Sequence, residues 1–328
     1  MKVLVTGGAG YIGSHAVKAL REAGHEPVVV DNLSRGHRQA VPQGVPFFDL
    51  DVRRSDEVAG VMTEQRVRCV MHFAAFASVG ESVAEPLLYY DNNAAGTLSL
   101  IRACAASGVE RFVFSSTCAT YGEPEQMPIG ESAPQRPVNA YGWSKLFSER
   151  MLFDHARSRP GFGFAVLRYF NVAGAAKDGS LGEDHRPETH LVPVILQAAL
   201  GARDKLTVFG EDYPTPDGTC IRDYVHVEDL VDAHVAVMQA LAADDRRVYN
   251  LGIGRGYSVR EIIEAARHVV GRPFAVETGP RRAGDPPALY ADPTLIHTEL
   301  GWTARVTDVV EIIESAWRWC LAHPNGYL

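Results

Sequence analysis

The run Thr6-Gly7-Gly8-Ala9-Gly10-Tyr11-Ile12-Gly13 follows directly on the apolar, β-branched stretch Lys2–Thr6, and it constrains the fold more than any other feature. Glycines at 7, 10 and 13 give a G-x-x-G-x-x-G spacing between a buried strand and an amphipathic helix. A turn that tight needs residues without Cβ. Gly10 lets backbone N–H groups approach a pyrophosphate, and Gly13 lets the helix pack close to the strand. With 30 glycines in 328 residues the spacing alone is weak; its place between strand and helix gives it weight. Asp31 ends the second apolar run about twenty residues after the turn. A carboxylate there accepts hydrogen bonds from an adenosine ribose and repels a 2′-phosphate, which selects NAD over NADP. Arg35 and Arg38, just beyond, read as solvated loop charges.

Apolar runs at 28–30, 68–74, 111–115 and 164–168 repeat the first strand's pattern, with helical stretches at 12–23, 55–64, 87–107 and Ala140–Ser158 between them. Strands alternating with helices of this length imply an α/β fold, a doubly wound parallel sheet of Rossmann type covered on both faces. After Arg168 the pattern changes. Residues 171–188 read as loop, followed by a helix at 192–200, a strand at 205–209, an exposed loop at 210–218, a strand at 225–227 and a helix at 228–241. Helices at Val259–Val270 and 307–321 complete a smaller α/β C-terminal part. The expected division is a dinucleotide-binding domain over 1–170, joined by parts of 223–253, and a substrate-binding domain over 171–328, with a cleft between them.

A formal net charge of −8 argues against nucleic-acid binding as the main task. The five cysteines (Cys69, Cys104, Cys118, Cys220, Cys320) are scattered and lack metal-ligand spacing, so reduced thiols and no metal are expected. Neither a signal-peptide pattern nor an 18-residue apolar run is present, so the expected location is cytoplasmic, away from the membrane.

Tyr141-Gly142-Trp143-Ser144-Lys145 is a Tyr-x-x-x-Lys, which on a helix puts phenol and ammonium on one face. A free tyrosine has a pKa near ~10, too high for a base at neutral pH, and a nearby cation lowers it. Upstream, the strand at 111–115 runs into Ser115-Ser116-Thr117, and substrates sit at strand C-termini in such sheets. A Thr117 hydroxyl there could bond a reacting oxygen. A surface pair without chemical role is the alternative.

TGGAGYIG, Asp31-Asn32, HFAA at 72–75, SSTCATYG at 115–122, YGWSK, RYFNVAGA at 168–175 and PTPDGTCIRDYVHVEDL at 214–230 together resemble the extended short-chain dehydrogenase/reductases over essentially the whole chain. Within that family the set is similar to the enzymes that invert C4 of a UDP-hexose. The resemblance implies Thr117, Tyr141 and Lys145 as catalytic residues. It implies NAD contacts from Gly7, Gly10, Tyr11, Ile12, Gly13, Asp31, Asn32, Asp51, Val52, Phe73, Ala74, Asn92 and Lys145, with Tyr169 and Phe170 near the nicotinamide. Asn171, His190, Leu191, Phe209, Arg222, Arg282, Asp285 and Leu289 would line the UDP-sugar site with Thr117. The implied chemistry passes through a transient 4-keto sugar with tightly bound NAD. A homodimer is implied as well, paired through the stripe of Ala94, Leu98, Ile101 and Ala105 and through Leu146 and Met151, positions that pattern alone reads as core.

Two residues depart from some family members: Ala77, where a lysine meets the NAD pyrophosphate, and Leu289, where a bulky tyrosine limits room around the sugar C2. The second would admit N-acetylated sugars. Cys118-Ala119 stands where dehydratases carry an acidic pair. A plain NAD-dependent sugar-nucleotide dehydrogenase and a non-catalytic NAD-sensing scaffold remain as other readings.

Overall fold

Val3 and Val5 join one buried cluster and Leu4 the other, so both faces of the first strand are covered. The same division separates Val29 from Val28 and Val30, Val113 from Phe112 and Phe114, and Ala165 and Leu167 from Phe164 and Val166. Side chains alternate between faces along a strand, so a near-continuous apolar run marks a sheet buried on both sides. In the computed structural model, which describes residues 1–282 and 284–328, these runs form a seven-stranded sheet. Its strands are β1 (Lys2–Thr6), β2 (Glu26–Asp31), β3 (Phe47–Asp49), β4 (Cys69–His72), β5 (Arg111–Thr117), β6 (Gly163–Tyr169) and β7 (Arg246–Leu251). The order is β7-β6-β5-β4-β1-β2-β3, parallel throughout. Helices Tyr11–Glu22 and Val227–Ala240 cover one face, and Ser55–Gln65, Gly96–Ser107 and Ala140–Ser158 the other.

The remainder packs around a further cluster, built by helices Leu191–Leu200, Val259–Val270 and Val309–Ala322. Short strands join it: Leu206–Phe209 beside Val276–Gly279, and Ile221–Arg222 between Tyr257–Ser258 and Ala288–Leu289. No helix among the described residues is long and apolar enough to cross a membrane.

The structure departs from the sequence reading of individual elements in three places. The stretch 87–107 is not one helix. It runs as Pro86–Tyr89, a π-helical segment Tyr90–Ala95, and Gly96–Ser107. The wider turn aims Asn93 inward, where it bonds Phe76 N at 2.9 Å and Ser144 Oγ at 3.0 Å. Residues Asn171–Ala173, read as loop, form a strand paired with Tyr224–His226. β7 comes from the later half of the chain and closes the sheet beside β6.

Three histidines are sealed in this core. His72 lies between the hydroxyls of Thr6 at 2.7 Å and Thr97 at 3.0 Å. His15 and His234 each use Nδ1 on a helix carbonyl. Burial pushes His72 down to about 3, and His15 and His234 down to about 4. All three are neutral in the fold, while the unfolded chain protonates them below about pH 6.5. The unfolded state then binds more protons, so stability is lost as the pH is lowered, by up to ~1.4 kcal/mol per unit per histidine between about pH 6 and 4. Urea midpoints across that range are expected to drop steeply in the parent protein. His72→Gln should flatten the slope by about one proton, and an unchanged slope would contradict this.

Candidate active site

Sheet order reverses between β1 and β4, and open α/β sheets bind ligands at that crevice, beyond the strand C-termini. The turn after β1 and the Phe73-Ala74 segment after β4 meet there. Gly7 has φ +72°, and a Cβ on it would stand 2.5 Å from the Ala74 nitrogen. A Cβ on Gly13 would lie 2.0 Å from the Gly7 carbonyl oxygen. Gly10 caps helix Tyr11–Glu22 without any side-chain hydrogen bond, which leaves the first-turn N–H groups and the helix dipole for a phosphate. Asp31 ends β2, 8% exposed; its carboxylate accepts from Ala9 N at 2.9 Å and Leu33 N at 2.8 Å. Burial raises its pKa and those two donors hold the rise down. A glycine cradle with a fixed carboxylate at the next strand fits a dinucleotide.

Around it, Asn32 donates to Asp51 at 3.2 Å, and Arg53 pulls Asp51 down to about 2. Val52 is buried. The Tyr11 hydroxyl is bonded to Gly174 O at 2.7 Å, so the backbone of Tyr11 and Ile12 is what this turn offers a phosphate. Phe73 packs on His234, with ring centroids 4.9 Å apart. Asn92 donates to Asn93 at 3.0 Å. Ala77 is exposed. Arg35 and Arg38 are not free solvated charges. Arg35 pairs with Glu81 at 2.6 Å over the Phe76 ring, and Arg38 lies over Phe47.

Helix Ala140–Ser158 starts at Asn139, whose side chain accepts from Gly142 N at 2.9 Å. Only a glycine at 142 lets this helix lie on the turn after β5, because a Cβ would stand 2.5 Å from Ala119 O. That approach sets the Tyr141 phenol beside the Thr117 hydroxyl. Thr117 is buried and accepts from Ala119 N at 3.1 Å; the Tyr141 ring meets Tyr89 edge-on at 6.3 Å. Lys145, 4% exposed, donates from Nζ to Ser115 O at 2.8 Å and lies over Phe114.

The electrostatics correct the expectation drawn from spacing. The Lys145 ammonium is not among the groups that move the phenol. Burial carries Tyr141 up to about 12, with the Thr117 hydroxyl holding it back. Burial likewise pushes Lys145 down to about 7, against the pull of Glu149. Tyr169 bonds Ser115 Oγ through its hydroxyl, and Phe170 is buried next to it in sequence.

From the C-terminal part, Arg222 pairs with Asp285 and lies in register with Leu289 across parallel strands. Leu289 packs in a cluster with Cys118, Tyr121 and Phe170, so this residue closes against the end of β5. The Arg282 guanidinium sits 3.9 Å from the Phe209 ring centroid. Asn171 N donates to Asp223 O at 3.0 Å. His190 caps helix Leu191–Leu200, and its nearest charged partner is Glu183, 2.7 Å from Nδ1.

Sequence reasoning missed a buried pair that braces this site. Arg168 on β6 and Glu149 on helix Ala140–Ser158 meet at 2.7 Å, 5% and 1% exposed, and Glu149 also accepts from Ser116 at 2.5 Å and Gln135 at 3.0 Å. An invariably charged side chain inside a buried strand was the available signal. Arg168→Met is expected to cost about 3–5 kcal/mol in urea unfolding, since Glu149 would stay buried without a counter-charge. Arg168→Met with Glu149→Met should recover much of that. A single-variant loss under about 1 kcal/mol would contradict the account.

Residues 3–252 match the model of the NAD dependent epimerase/dehydratase family. The UDP-glucose 4-epimerase of Lacticaseibacillus casei is 49% identical over 328 residues, covering 100% of this chain and 99% of that protein. The crystal structure of UDP-glucose 4-epimerase from Bifidobacterium longum, in complex with NAD+ and UDP, superposes with a TM-score of 0.96 at 40% identity, covering 99% of this chain and 100% of the other. The UDP-Glc/GlcNAc 4-epimerase of Campylobacter jejuni gives 0.84 at 44% identity, covering 97% and 98%.

Proposed function

The chain belongs to the NAD dependent epimerase/dehydratase family, and we propose that it interconverts UDP-glucose and UDP-galactose by inverting C4, with NAD held as a resident cofactor. The observation that carries this reading is the meeting of Thr117 and Tyr141 at the end of β5, on the same strand-end edge of the sheet as the glycine turn, with Leu289 packed on the adjoining Cys118. Gly7, Gly10, Tyr11, Ile12, Gly13, Asp31, Asn32, Asp51, Val52, Phe73, Ala74, Asn92 and Lys145 would hold the dinucleotide, with Tyr169 and Phe170 near its nicotinamide end. NAD, when bound, supplies a hydride acceptor and donor for the sugar C4, and its oxidised ring adds a positive charge. Tyr141 takes the proton of the C4 hydroxyl as a 4-keto sugar forms and returns it afterwards. Thr117 bonds the same oxygen and fixes its position. Lys145, anchored on the Ser115 carbonyl, positions the cofactor ribose.

Arg222 and Arg282 suit the diphosphate, since guanidinium forks bind phosphate oxygens in pairs. Asn171, His190, Leu191, Phe209, Asp285 and Leu289 line the rest of the nucleotide-sugar site. Binding energy from UDP leaves the sugar itself loosely held and able to present its opposite face. Leu289 leaves room near the sugar C2, so UDP-N-acetylhexoses enter too. A membrane-free, cytoplasmic enzyme without nucleic-acid partners fits this substrate. It works as a homodimer. The pairing face centres on the exposed Leu87, Leu88, Trp143 and Phe147; two positions of the stripe read from sequence, Ile101 and Leu146, are buried within the fold.

Incubation of the purified protein with UDP-galactose and no added NAD tests the reading. UDP-glucose without net NADH is the expected product. Steady NADH production on added NAD would make it a dehydrogenase instead.

A further inference from the structure

The loop leading into helix Leu191–Leu200 carries Glu183-x-His185-x-x-Glu188-x-His190, and the reaction above uses neither Glu183, His185 nor Glu188. One donor atom from each of the four residues lies within 4.8 Å of all the others. His185 Nδ1 stands 3.2 Å from Glu183 and 3.6 Å from Glu188; His190 Nδ1 stands 2.7 Å from Glu183 and 3.3 Å from Glu188. Four ligands about 2.1 Å from a tetrahedral Zn²⁺ are about 3.4 Å apart, close to these separations.

Direction distinguishes this group from a plain ion-pair cluster. The Glu183 side chain is 7% exposed, yet its Oε1 closes no hydrogen bond, and neither does His185 Nδ1, although nitrogen and oxygen are near enough. Buried polar atoms in folded proteins are almost always hydrogen-bonded. Donors that converge in distance but not along N–H directions are arranged for a shared cation. Glu188 is further oriented by Thr189 N at 2.7 Å and His190 N at 2.8 Å on its Oε1, the kind of outer support that metal-ligating carboxylates receive.

We propose that Glu183, His185, Glu188 and His190 form a structural Zn²⁺ site. Two imidazoles and two carboxylates suit zinc, whereas Ca²⁺ and Mg²⁺ need six or more oxygen ligands. The ion pins the loop to the residue that caps helix Leu191–Leu200. The other end of that loop is already fixed by Tyr11 on Gly174, and the Tyr11 ring lies edge-on to His185 at 6.3 Å. Zinc therefore holds His185 against the Tyr11 ring of the glycine-turn helix while fixing the segment that bears His190 and Leu191, and the Nδ1 of His190 serves the ion.

The full chain, stripped with a chelator, reloaded with ZnCl₂ and freed of excess metal by gel filtration, is expected to hold about one zinc per chain by mass spectrometry of the elements. Zinc should raise its melting temperature. His185→Gln and Glu188→Gln should each retain at least about tenfold less and lose the zinc-dependent shift. Crystals of the reloaded parent protein, which require no variant to fold, should give anomalous density at the zinc edge between the four side chains. Zinc content below about a tenth of an equivalent, parent-like retention by His185→Gln, or anomalous density only elsewhere would overturn the proposal.

Discussion

Replacing Tyr141 by phenylalanine is expected to lower kcat for UDP-galactose by about 10²–10⁴-fold, the range that one general acid–base group supplies, while KM changes little. The ring stays edge-on to Tyr89, so the circular dichroism spectrum and melting temperature should match the parent. The loss follows from the position of the phenol. It stands beside Thr117, and burial holds its pKa up to about 12. A group so reluctant to ionise gives up its proton more readily when a positive charge such as the oxidised nicotinamide lies in the cleft, while Lys145 is anchored on the Ser115 carbonyl. Lys145→Met should therefore act chiefly through cofactor placement, lowering NAD content together with kcat. Tyr141→Phe should leave NAD content alone. A Tyr141→Phe enzyme that keeps more than about a tenth of the parent kcat would remove the phenol from the mechanism.

Gly13→Ala is expected to empty the protein of its cofactor. The added Cβ would stand 2.0 Å from the Gly7 carbonyl oxygen and 2.9 Å from the Gly8 Cα, backbone rather than a flexible side chain. Helix Tyr11–Glu22 must then move off the turn, and the N–H groups that face the pyrophosphate move with it. Overpacking of this kind costs about 1–3 kcal/mol or more. Bound NAD per chain, released by acid and quantified, should fall at least tenfold with a lower melting temperature. Gly60→Ala provides the control, since nothing lies within 4 Å of its added Cβ. In the interior of helix Ser55–Gln65 it should stabilise by up to about 1 kcal/mol, with NAD content unchanged. Parent-like NAD content in Gly13→Ala would contradict the placement of the phosphate at this turn.

How legible this protein is from its sequence depends on burial. β1, β5 and β6 could be read because both their faces are covered, which leaves an unbroken apolar run. The bounds read for helices Ala140–Ser158 and Val259–Val270 coincide with those in the structure, where the side chains of Asn139 and Ser258 cap them. β3 and β7 lie at the sheet edges, and the Arg246-Arg247 start of β7 resembles a loop. The π-helical segment at Tyr90–Ala95 leaves no compositional trace. At the site, spacing places Tyr141 and Lys145 on one helix face but says nothing of the dielectric around them. Burial therefore reversed the expected sign of the Tyr141 shift. The Arg168–Glu149 pair joins a strand to a helix nineteen residues away, beyond any local pattern. Glu183, His185, Glu188 and His190 escaped because cysteine spacing was the signal sought, whereas E-x-H-x-x-E-x-H in a loop carries its ligands on other side chains.

The central claim is that hydrogen leaves the sugar C4 as hydride and comes back to that carbon within one closed site, under Tyr141. Incubating the purified protein with UDP-galactose deuterated at C4, in ordinary water and without added NAD, tests it most directly. UDP-glucose that keeps its deuterium at C4 is the expected product. Loss of the label to water, or its appearance at a carbon other than C4, would contradict the account.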